Sequence, residues 1–262
     1  MKRPALSVTI ITLNEAKNIQ TAIESVTWAE EVIVVDSGST DETPEIAKKL
    51  GARVIYNPWN GYGQQKNYAQ SLATHPWVLN IDADEVVPPH LAAEIQEALR
   101  QIESGEIIAQ GFFFPRKTFF LGRWIQHGGW YPNYLVRLVH REHSTWTEPH
   151  VHEELHVNGK VRELSQPLYH YGFHSIQDQI LTNLKFSHLG SQDLKRTGQQ
   201  ASIQRLLLKP IGKFLETYII KRGFLDGLPG FIISINAAHS MFLKYAYLSE
   251  MDIKNENSHH RQ

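Results

Sequence analysis

The sequence predicts an α/β protein with a parallel sheet at its N-terminal end, a mixed sheet in the middle and a helical C-terminal extension. Three observations lead to this fold class. Apolar runs alternate with helical patterns over residues 1–105, short aromatic strands follow over 106–175, and the pattern is helical again from 176. Strands that are apolar on both faces and separated by helices are typical of a parallel sheet covered on both sides.

The N-terminal half alternates strand and helix. Asn14 is predicted to cap the first helix, because its carboxamide can accept a hydrogen bond from the first turn. Thr43 followed by Pro44 predicts the start of the second helix. Strands are predicted at 7–13, 31–37, 52–56 and 77–82, a third helix at 64–73, and a fourth with apolar residues at 91, 95, 98 and 102.

The rest of the chain changes character twice. Residues 106–175 are rich in aromatics, glycine and arginine, with short strands predicted at 111–117 and 134–140. No low-complexity linker separates them from the first half, so we expect one α/β domain over 1–175. Helices predicted at 176–197, 200–222 and 228–248 form an extension over 176–252, and the polar residues 253–262 are predicted to be a disordered tail.

Composition excludes several classes of protein. The net charge of −1 over 262 residues gives no global basic field of the kind that nucleic-acid-binding proteins carry. The absence of cysteine excludes disulfides, zinc–thiolate sites and cysteine nucleophiles, and it fits a reducing compartment. The apolar stretch near the N-terminus is too short to span a membrane and lacks a small-residue cleavage site, so we interpret it as a strand and expect a cytosolic protein.

Polar clusters follow three of the predicted strands, at 12–15, 36–43 and 82–85. Each cluster alone is equally well explained as a helix cap or a turn. Ligands of an open parallel sheet collect beyond the carboxyl ends of its strands, so three clusters at that edge predict a binding site.

Two acids in the last cluster indicate what the site binds. Asp82 and Asp84 follow strand four at a spacing that directs both side chains to one face, where they repel each other unless a positive charge lies between them. A hard divalent cation, Mg²⁺ or Mn²⁺, takes oxygen ligands and bridges phosphates. Neither a G-x-G-x-x-G nor a P-loop pattern is present, so we expect a nucleoside diphosphate bound through a metal ion.

Longer motifs carry a family resemblance. The stretches TIITLNEAKNI, VIVVDSGSTDET, GYGQQKNYA and VLNIDADE, in that order within 7–85, resemble the nucleotide-sugar half of family 2 inverting glycosyltransferases of GT-A fold. The stretches GGWYPNYLVRLVHR, VHEEL, YHYGFHS and KRGFLDGLPGF are similar to a narrower group, the lipopolysaccharide inner-core heptose β-1,4-glucosyltransferases. The resemblance implies that 1–105 binds the donor and 106–175 the acceptor.

The resemblance also implies roles for single residues. Asp84 would bind the metal ion directly, with His170 completing the metal shell or contacting the leaving diphosphate. Many family members have a second acid where this chain has Ser37. In this chain a hydroxyl group would therefore make the contact with the nucleotide base at that position. The implied nucleotide-sugar-binding residues are Thr12, Asn14, Glu15, Asp36, Ser37, Lys66, Asn67 and Asp82.

Inverting transfer also needs a base and an acceptor site. The segment EPHVHEEL offers Glu148, Glu153 and Glu154, and Glu153 is the predicted base because it matches the HE pair of the narrower group. The implied acceptor-binding residues are Trp130, Arg137 and His152, since sugars stack on aromatic rings and guanidinium groups pair with phosphates.

The helical extension raises the question of a membrane. Residues 206–248 combine many apolar residues with lysine and arginine, but charged and polar residues interrupt every long apolar run, so we expect contact with an anionic surface and no span. An amphipathic helix packed on the domain, or one used for self-association, is the alternative.

Together these features predict a metal-dependent inverting transferase on the cytoplasmic face of the inner membrane. It would move a hexose, glucose from UDP-glucose, onto a lipopolysaccharide core heptose or a similar lipid-linked glycan. The alternatives are another cell-surface polysaccharide as acceptor, a sugar-phosphate nucleotidyltransferase, and a silent sugar-nucleotide-binding module.

Overall fold

A computed structural model describes residues 4–147 and 154–259, with side chains up to 254, and the chain divides into two compact units. The sheet unit comprises the chain up to Thr118 together with Pro132–Gly172. The helical unit comprises Phe119–Tyr131 and the chain from Phe173 onward. The sequence prediction grouped 119–131 with the α/β domain, whereas the structure groups this hairpin with the helices.

The elements of the sheet unit follow the predicted alternation closely. Its helices are α1 (Ile19–Glu24), α2 (Thr43–Lys49), α3 (Tyr62–Ser71) and α4 (Pro89–Glu103). The strands of the whole chain are β1 (Leu6–Thr12), β2 (Glu31–Asp36), β3 (Arg53–Tyr56), β4 (Trp77–Asp82), β5 (Glu85–Val86), β6 (Gly111–Phe120), β7 (Arg123–Trp124), β8 (Asn133–His140), β9 (Ser144–Trp146), β10 (Leu155–Val157), β11 (Val161–Glu163) and β12 (Leu168–His170).

The main sheet has the order β3-β2-β1-β4-β8-β6-β12-β5. The first four strands are parallel, and β8 then runs antiparallel to both β4 and β6. Strands β11 and β12 are parallel to β6, and β9 pairs with β10 in a small separate sheet. The prediction of a parallel first half and a mixed second half is therefore confirmed.

The core anchors the carboxyl edge of the parallel strands. Apolar residues on both faces of β1, β2 and β4 are buried, and α4 buries Leu91, Ile95 and Leu99 against them. Register then brings the strand ends together, since Thr12 lies opposite Asp36 and Ile11 opposite Asp82. The three polar clusters are thus fixed at one edge by the packing of the strands that precede them.

Two predicted helix caps are wrong. Helix α1 begins at Ile19 after Asn18, while Asn14 adopts a positive φ of 57° in the preceding loop. The Asn14 carboxamide oxygen instead accepts a hydrogen bond from Thr40 N at 2.8 Å, and asparagine tolerates this left-handed conformation. Thr43 lies inside the first turn of α2 rather than at its cap, although Pro44 does occupy the first turn as predicted.

The helical unit contains three long helices. They are α5 (Ile176–Arg196), α6 (Ile203–Leu215) and α7 (Gly227–His259), with a π-helical turn at Glu216–Ile220 and a 3₁₀ turn at Gly223–Asp226. Ser175 and Ser202 cap α5 and α6 by accepting backbone hydrogen bonds in the first turn. Helix α7 continues to His259, into the stretch that the sequence predicts as a disordered tail.

Asp226 ties the hairpin to the helices of this unit. It is completely buried, accepts hydrogen bonds from the backbone N–H groups of Gln126 and His127, and lies 3.4 Å from an Arg123 guanidinium nitrogen. Close by, a side chain on Gly223 would meet Thr217 O at 2.7 Å. The KRGFLDGLPGF motif therefore has a packing role.

Within the two described ranges, no helix has the length and apolarity to cross a membrane.

Candidate active site

The loops after β1 and β2 form one hydrogen-bonded wall at the carboxyl edge of the sheet. Asn14 N donates to Ser39 Oγ at 2.8 Å, and Glu15 N donates to Thr43 Oγ1 at 2.8 Å. Asp36 is buried, and one of its oxygens accepts from the backbone N–H groups of Gly38 and Ser39, both at 2.9 Å. The structure thus brings together the residues that the sequence selected from the first two clusters.

Two further donor-site candidates lie in this wall. The Ser37 hydroxyl accepts from Gln65 Nε2 at 3.0 Å, which links the loop after β2 to α3. The Thr12 hydroxyl is buried and has no hydrogen-bond partner among the residues that the structure describes. Burial raises the pKa of Glu15, a hydrogen bond from Asn18 opposes that rise, and nearby acids reinforce it. This edge therefore holds acceptor groups suited to hydroxyl and N–H donors of a ligand.

Asp82 is held between two side-chain cations. One carboxylate oxygen lies 3.1 Å from Lys66 Nζ, and the other accepts from Arg137 Nη2 at 2.7 Å. Burial alone would raise the pKa of Asp82, but Arg137 and then Lys66 hold that pKa far below its usual range. The sequence predicted that a divalent cation lies between Asp82 and Asp84. In the structure, the positive charges next to Asp82 are those of Lys66 and Arg137.

Glu85, which had no predicted role, lies at the centre of the buried charges. Its side chain is completely buried, and Oε1 accepts from Arg137 Nη2 at 2.7 Å and from Arg116 Nη1 at 3.1 Å. The other oxygen, Oε2, accepts from Asp82 N at 3.0 Å. Arg116 and Arg137 stand inside the apolar strands β6 and β8, and two arginines at such positions are the sequence signal that a buried acid must face them.

A second carboxylate, Asp84, pairs with a histidine. Its Oδ2 lies 3.2 Å from His170 Nε2, while His170 Nδ1 lies 3.1 Å from the Thr118 hydroxyl. In one tautomer His170 donates Nε2–H to Asp84 and accepts from the Thr118 hydroxyl; in the other it donates Nδ1–H to Thr118 and leaves the Nε2 lone pair for a metal ion. Gly172 makes this possible, since a Cβ there would lie 2.9 Å from Asp84 Oδ2 and would overlap the His170 ring. We call this arrangement the carboxylate–imidazole pair.

The carboxylate–imidazole pair fits a hard divalent cation held jointly with a ligand. Asp84 Oδ2 and His170 Nε2 offer one oxygen and one nitrogen at 3.2 Å from each other. In the described parts of the chain, no group of three or more histidine or acidic side chains is arranged to hold a metal by itself. Mg²⁺ commonly binds one or two carboxylates and completes its shell with phosphate oxygens and water, so two protein ligands are enough.

Lys66 and Asn67 connect the site to Trp146 at the end of β9, shortly before the predicted base in the sequence. The Asn67 amide bonds both backbone groups of Trp146, donating to its carbonyl at 2.9 Å and accepting from its N–H at 2.8 Å. The Lys66 ammonium lies 4.5 Å from the Trp146 ring centroid. Asn67 therefore has a structural contact, and its predicted contact with the nucleotide stays a prediction.

The predicted base, Glu153, lies outside the described residues, as do Glu148 and His152. The residues on either side of that segment, Thr147 and Glu154, bond each other through Thr147 N and Glu154 O at 2.8 Å. Glu154 itself is exposed. The two described residues that flank the segment therefore lie side by side, next to β9 and β10.

The other two predicted acceptor residues lie in different units. Arg137 is buried in the sheet unit and paired with Asp82 and Glu85. Trp130 belongs to the helical unit, where its ring packs 5.8 Å from Phe120 and 5.6 Å from Phe173, measured between centroids. Their contact with an acceptor stays a prediction.

Comparison with known proteins decides the family. The sequence profile described as Glycosyl transferase family 2 matches residues 7–154, which include every residue of the wall and of the Asp82 cluster. The chain belongs to glycosyl transferase family 2. As a member it is a glycosyltransferase, and its parallel first half and mixed second half confirm the predicted GT-A architecture.

Two relatives of this glycosyltransferase match nearly the whole chain. An uncharacterized glycosyltransferase of Rickettsia felis is 36% identical and covers 96% of this chain and 92% of its own. The lipopolysaccharide core biosynthesis glycosyltransferase LpsC of Rhizobium meliloti is 31% identical and covers 92% of this chain and 90% of its own.

Solved structures resemble the glycosyltransferase more distantly. Glucosyl-3-phosphoglycerate synthase from Mycobacterium tuberculosis, in complex with Mn²⁺, UDP and phosphoglyceric acid, is 20% identical, covers 76% of this chain and 80% of its own, and has a TM-score of 0.48. TarS from S. aureus is 14% identical, covers 96% and 92%, and has a TM-score of 0.46.

Cations and acids lie together at this edge of the glycosyltransferase. Three cations, Lys66, Arg116 and Arg137, face two carboxylates, Asp82 and Glu85, so these five side chains carry one excess positive charge. Further acids lie close by, since Asp84, Asp41 and Asp82 all act electrostatically on Glu15.

Proposed function

We propose that the protein is a metal-dependent inverting glycosyltransferase that moves a hexose, glucose from UDP-glucose, onto a heptose of the lipopolysaccharide core. The observation that carries the proposal is the carboxylate–imidazole pair, which packs against Gly172 at the strand edge of a family 2 chain. Acting on a lipid-linked glycan, the protein would work at the cytoplasmic face of the inner membrane.

The donor would bind along the carboxyl edge of β1, β2 and β4. Thr12, Asn14 and Glu15 would line the base and ribose, and Asp36 and Ser37 would accept hydrogen bonds from the nucleoside. Asp82 would face the ribose as a fully ionised acceptor, because Arg137 and Lys66 fix its position and its charge. Lys66, and with it Asn67, would lie on the diphosphate side.

Asp84 and His170 would hold a Mg²⁺ or Mn²⁺ ion. The hydrogen bond between His170 and Thr118 would orient the ring, as outer-shell partners of metal-binding histidines do. A bound divalent cation would neutralise the charge that develops on the departing diphosphate. Neighbouring Lys66, which lies 3.1 Å from Asp82, would contribute a second, fixed positive charge to the same edge.

Transfer would proceed by one in-line displacement. A base, Glu153, would take the proton of the acceptor hydroxyl as that oxygen bonds to the anomeric carbon, and the electron pair of the broken bond would leave with UDP. The bonds of Asn67 to Trp146 would hold the strand that leads into the Glu153 segment at a fixed distance from the donor edge.

The acceptor assignment rests on the relative and on residue chemistry. The 31% identical LpsC is named for lipopolysaccharide core biosynthesis. Trp130 and His152 would contact the acceptor sugar. Arg137 would act through Asp82, because its guanidinium is engaged by two carboxylates.

Two linked measurements test the function. UDP-, GDP- and ADP-sugars are compared for thermal stabilisation of the protein with and without Mn²⁺, since a ligand that binds only the folded state raises Tm. We expect UDP-glucose to stabilise the protein strongly and only with the metal. The product on a heptose-terminated core oligosaccharide is then analysed by mass spectrometry and NMR, and a β-linked hexose is expected.

Other outcomes would contradict the proposal. Stabilisation by GDP- or ADP-sugars alone would overturn the base assignment, and an α-linked product would overturn inversion. Release of diphosphate from a nucleoside triphosphate and a sugar phosphate would establish a nucleotidyltransferase. Transfer to a different surface glycan, with the core left unmodified, would favour the alternative acceptor.

A further inference from the structure

The helical unit carries a continuous surface that is apolar and basic at once. We define this docking face as the exposed surface of residues 203–228, which comprises α6, the π-helical turn, the 3₁₀ turn and the first two residues of α7. Leu208, Ile211, Ile219, Ile220, Leu225 and Leu228 on it each expose half or more of their surface. Soluble monomers rarely leave such large apolar side chains exposed in one contiguous patch.

Packing within the unit does not cover this face. Helix α6 is described over its whole length and buries none of its residues completely. Leu208, Ile211 and Leu215 recur at helical spacing and form a stripe along α6, and Leu215 is also about half exposed, at 48%. Tyr218, in the π-helical turn after α6, packs against Phe214 and Phe231, and Phe231 is itself 41% exposed.

The charge exposed on the docking face is almost entirely positive. Its cations are Arg205, Lys209, Lys213, Lys221 and Arg222, and its acids are Glu216 and Asp226. Glu216 is neutralised by Lys213 at 3.0 Å and Lys221 at 2.5 Å, while Asp226 is completely buried. A partner of this face would therefore meet apolar side chains surrounded by cations.

A groove on the same face combines both properties at close range. It lies between α6 and α7 and has a volume of about 580 Å³. Arg205, Lys209 and Lys213 line it together with the apolar side chains of Leu208 and Met241. This lining suits an anionic headgroup above the start of an acyl chain.

We propose that the docking face lies on a bilayer rich in anionic phospholipids, with the stripe of α6 among the acyl chains and the cations at the phosphates. Interfacial helices combine exposed apolar residues on one side with lysine and arginine at the headgroup level. A second copy of the chain fits less well: in a two-fold dimer the same patch faces itself, so the cations of one protomer would oppose those of the other. The docking is independent of the donor, the metal ion and the acceptor.

Flotation of the full-length protein with vesicles tests the proposal. Vesicles of phosphatidylcholine alone are compared with vesicles containing roughly 30% phosphatidylglycerol. We expect binding to the anionic vesicles, weaker binding to the neutral ones, and a decrease with added salt. The double variant Leu208→Ser/Ile211→Ser is expected to lower the partition coefficient about tenfold or more, and Lys209→Gln to lower it severalfold.

The matched control is Ile108→Ser in the sheet unit. Ile108 is 71% exposed and lies outside the docking face, so the same loss of an exposed apolar side chain should leave flotation unchanged. The Tm of each variant is measured, since replacement of exposed residues should preserve folding. UDP-sugar binding should be equal in all of them, which keeps this test separate from that of the function.

Three results would overturn the proposal. The first is absence of wild-type binding to anionic vesicles. The second is a double variant that floats as the wild type does. The third is a wild-type dimer in solution that Leu208→Ser/Ile211→Ser converts to a monomer without any vesicle binding, which would make the face an interface between copies of the chain.

Discussion

Replacement of Glu85 by glutamine removes one charge from the buried cluster and keeps the size of the side chain. The carboxylate accepts from two arginines through one oxygen and from Asp82 N through the other. An amide cannot reproduce this, because its NH₂ group must face either the backbone N–H or the guanidinium groups, and donor then opposes donor. The variant should therefore loosen the turn that joins β4 to β5 and, with it, Asp82.

The expected loss of stability follows from burial. Removal of one partner of a buried ion pair costs about 3–5 kcal/mol, because the other charge stays buried without compensation. Arg137 retains Asp82 as a partner at 2.7 Å, and Arg116 is partly exposed, so the lower end applies. We expect a loss of about 3 kcal/mol for the sheet unit, which corresponds to a roughly hundredfold decrease in protection from exchange.

Hydrogen exchange, measured by mass spectrometry on peptides that cover β4 and β8, reports this loss of stability in the sheet unit. The control is Glu97→Gln, the same substitution in the surface pair of Glu97 with Arg100, where each side chain is about half exposed and the expected cost is below about 1 kcal/mol. Equal protection of β4 in the two variants would refute the reasoning, because it would show that the buried cluster does not stabilise the strand end.

Three further substitutions probe the site. Gly172→Ala should abolish metal-dependent UDP binding in calorimetry and lower Tm, because the methyl group would overlap His170 and Asp84 and force the carboxylate–imidazole pair apart. Gly212→Ala, where a Cβ meets nothing within 4 Å, should bind normally. Thr118→Val should weaken Mn²⁺ affinity about tenfold to a hundredfold, since it removes the partner that orients the imidazole, and unchanged affinity would exclude that role. Glu153→Gln should keep UDP-sugar binding and lose transfer, whereas Glu154→Gln should keep both; normal turnover of the first variant would place the base elsewhere.

Most of the sheet could be predicted from the sequence. The bounds of β1, β2 and β4 differ by no more than one residue from the predicted ones, because long apolar runs between helical patterns leave few alternatives. The convergence of the three clusters followed from the same pattern, since parallel strands end at one edge.

The charge cluster could not be predicted in the same way. Asp82 is separated from Arg137 by 55 positions and Glu85 from Arg116 by 31. The spacing of residues predicts which face of a strand a side chain occupies. It does not predict which arginine pairs with which acid, because that depends on the pairing of β8 with β4 and β6. That pairing reverses the strand direction, and nothing in the local pattern fixes its register. The role of Asn14 was likewise decided by a loop 26 positions away.

The grouping of the hairpin 119–131 with the helices has a similar cause. Its aromatic and glycine-rich sequence resembles a continuation of β6. Asp226, which accepts a hydrogen bond from Gln126 in the hairpin, lies 100 positions away in the sequence. A buried acid in a glycine-rich turn was visible in the sequence, but its partners, two backbone N–H groups, carry no side-chain signal.

Calorimetric titration of UDP into the protein, with and without Mn²⁺, tests the central claim most directly when the wild type is compared with Asp84→Ala. The account predicts that Mn²⁺ strengthens UDP binding to the wild type. It also predicts that Asp84→Ala loses this enhancement and keeps the weaker, metal-independent affinity provided by the wall and Lys66. An Asp84→Ala variant whose UDP affinity responds to Mn²⁺ as the wild type does would contradict the assignment of the site.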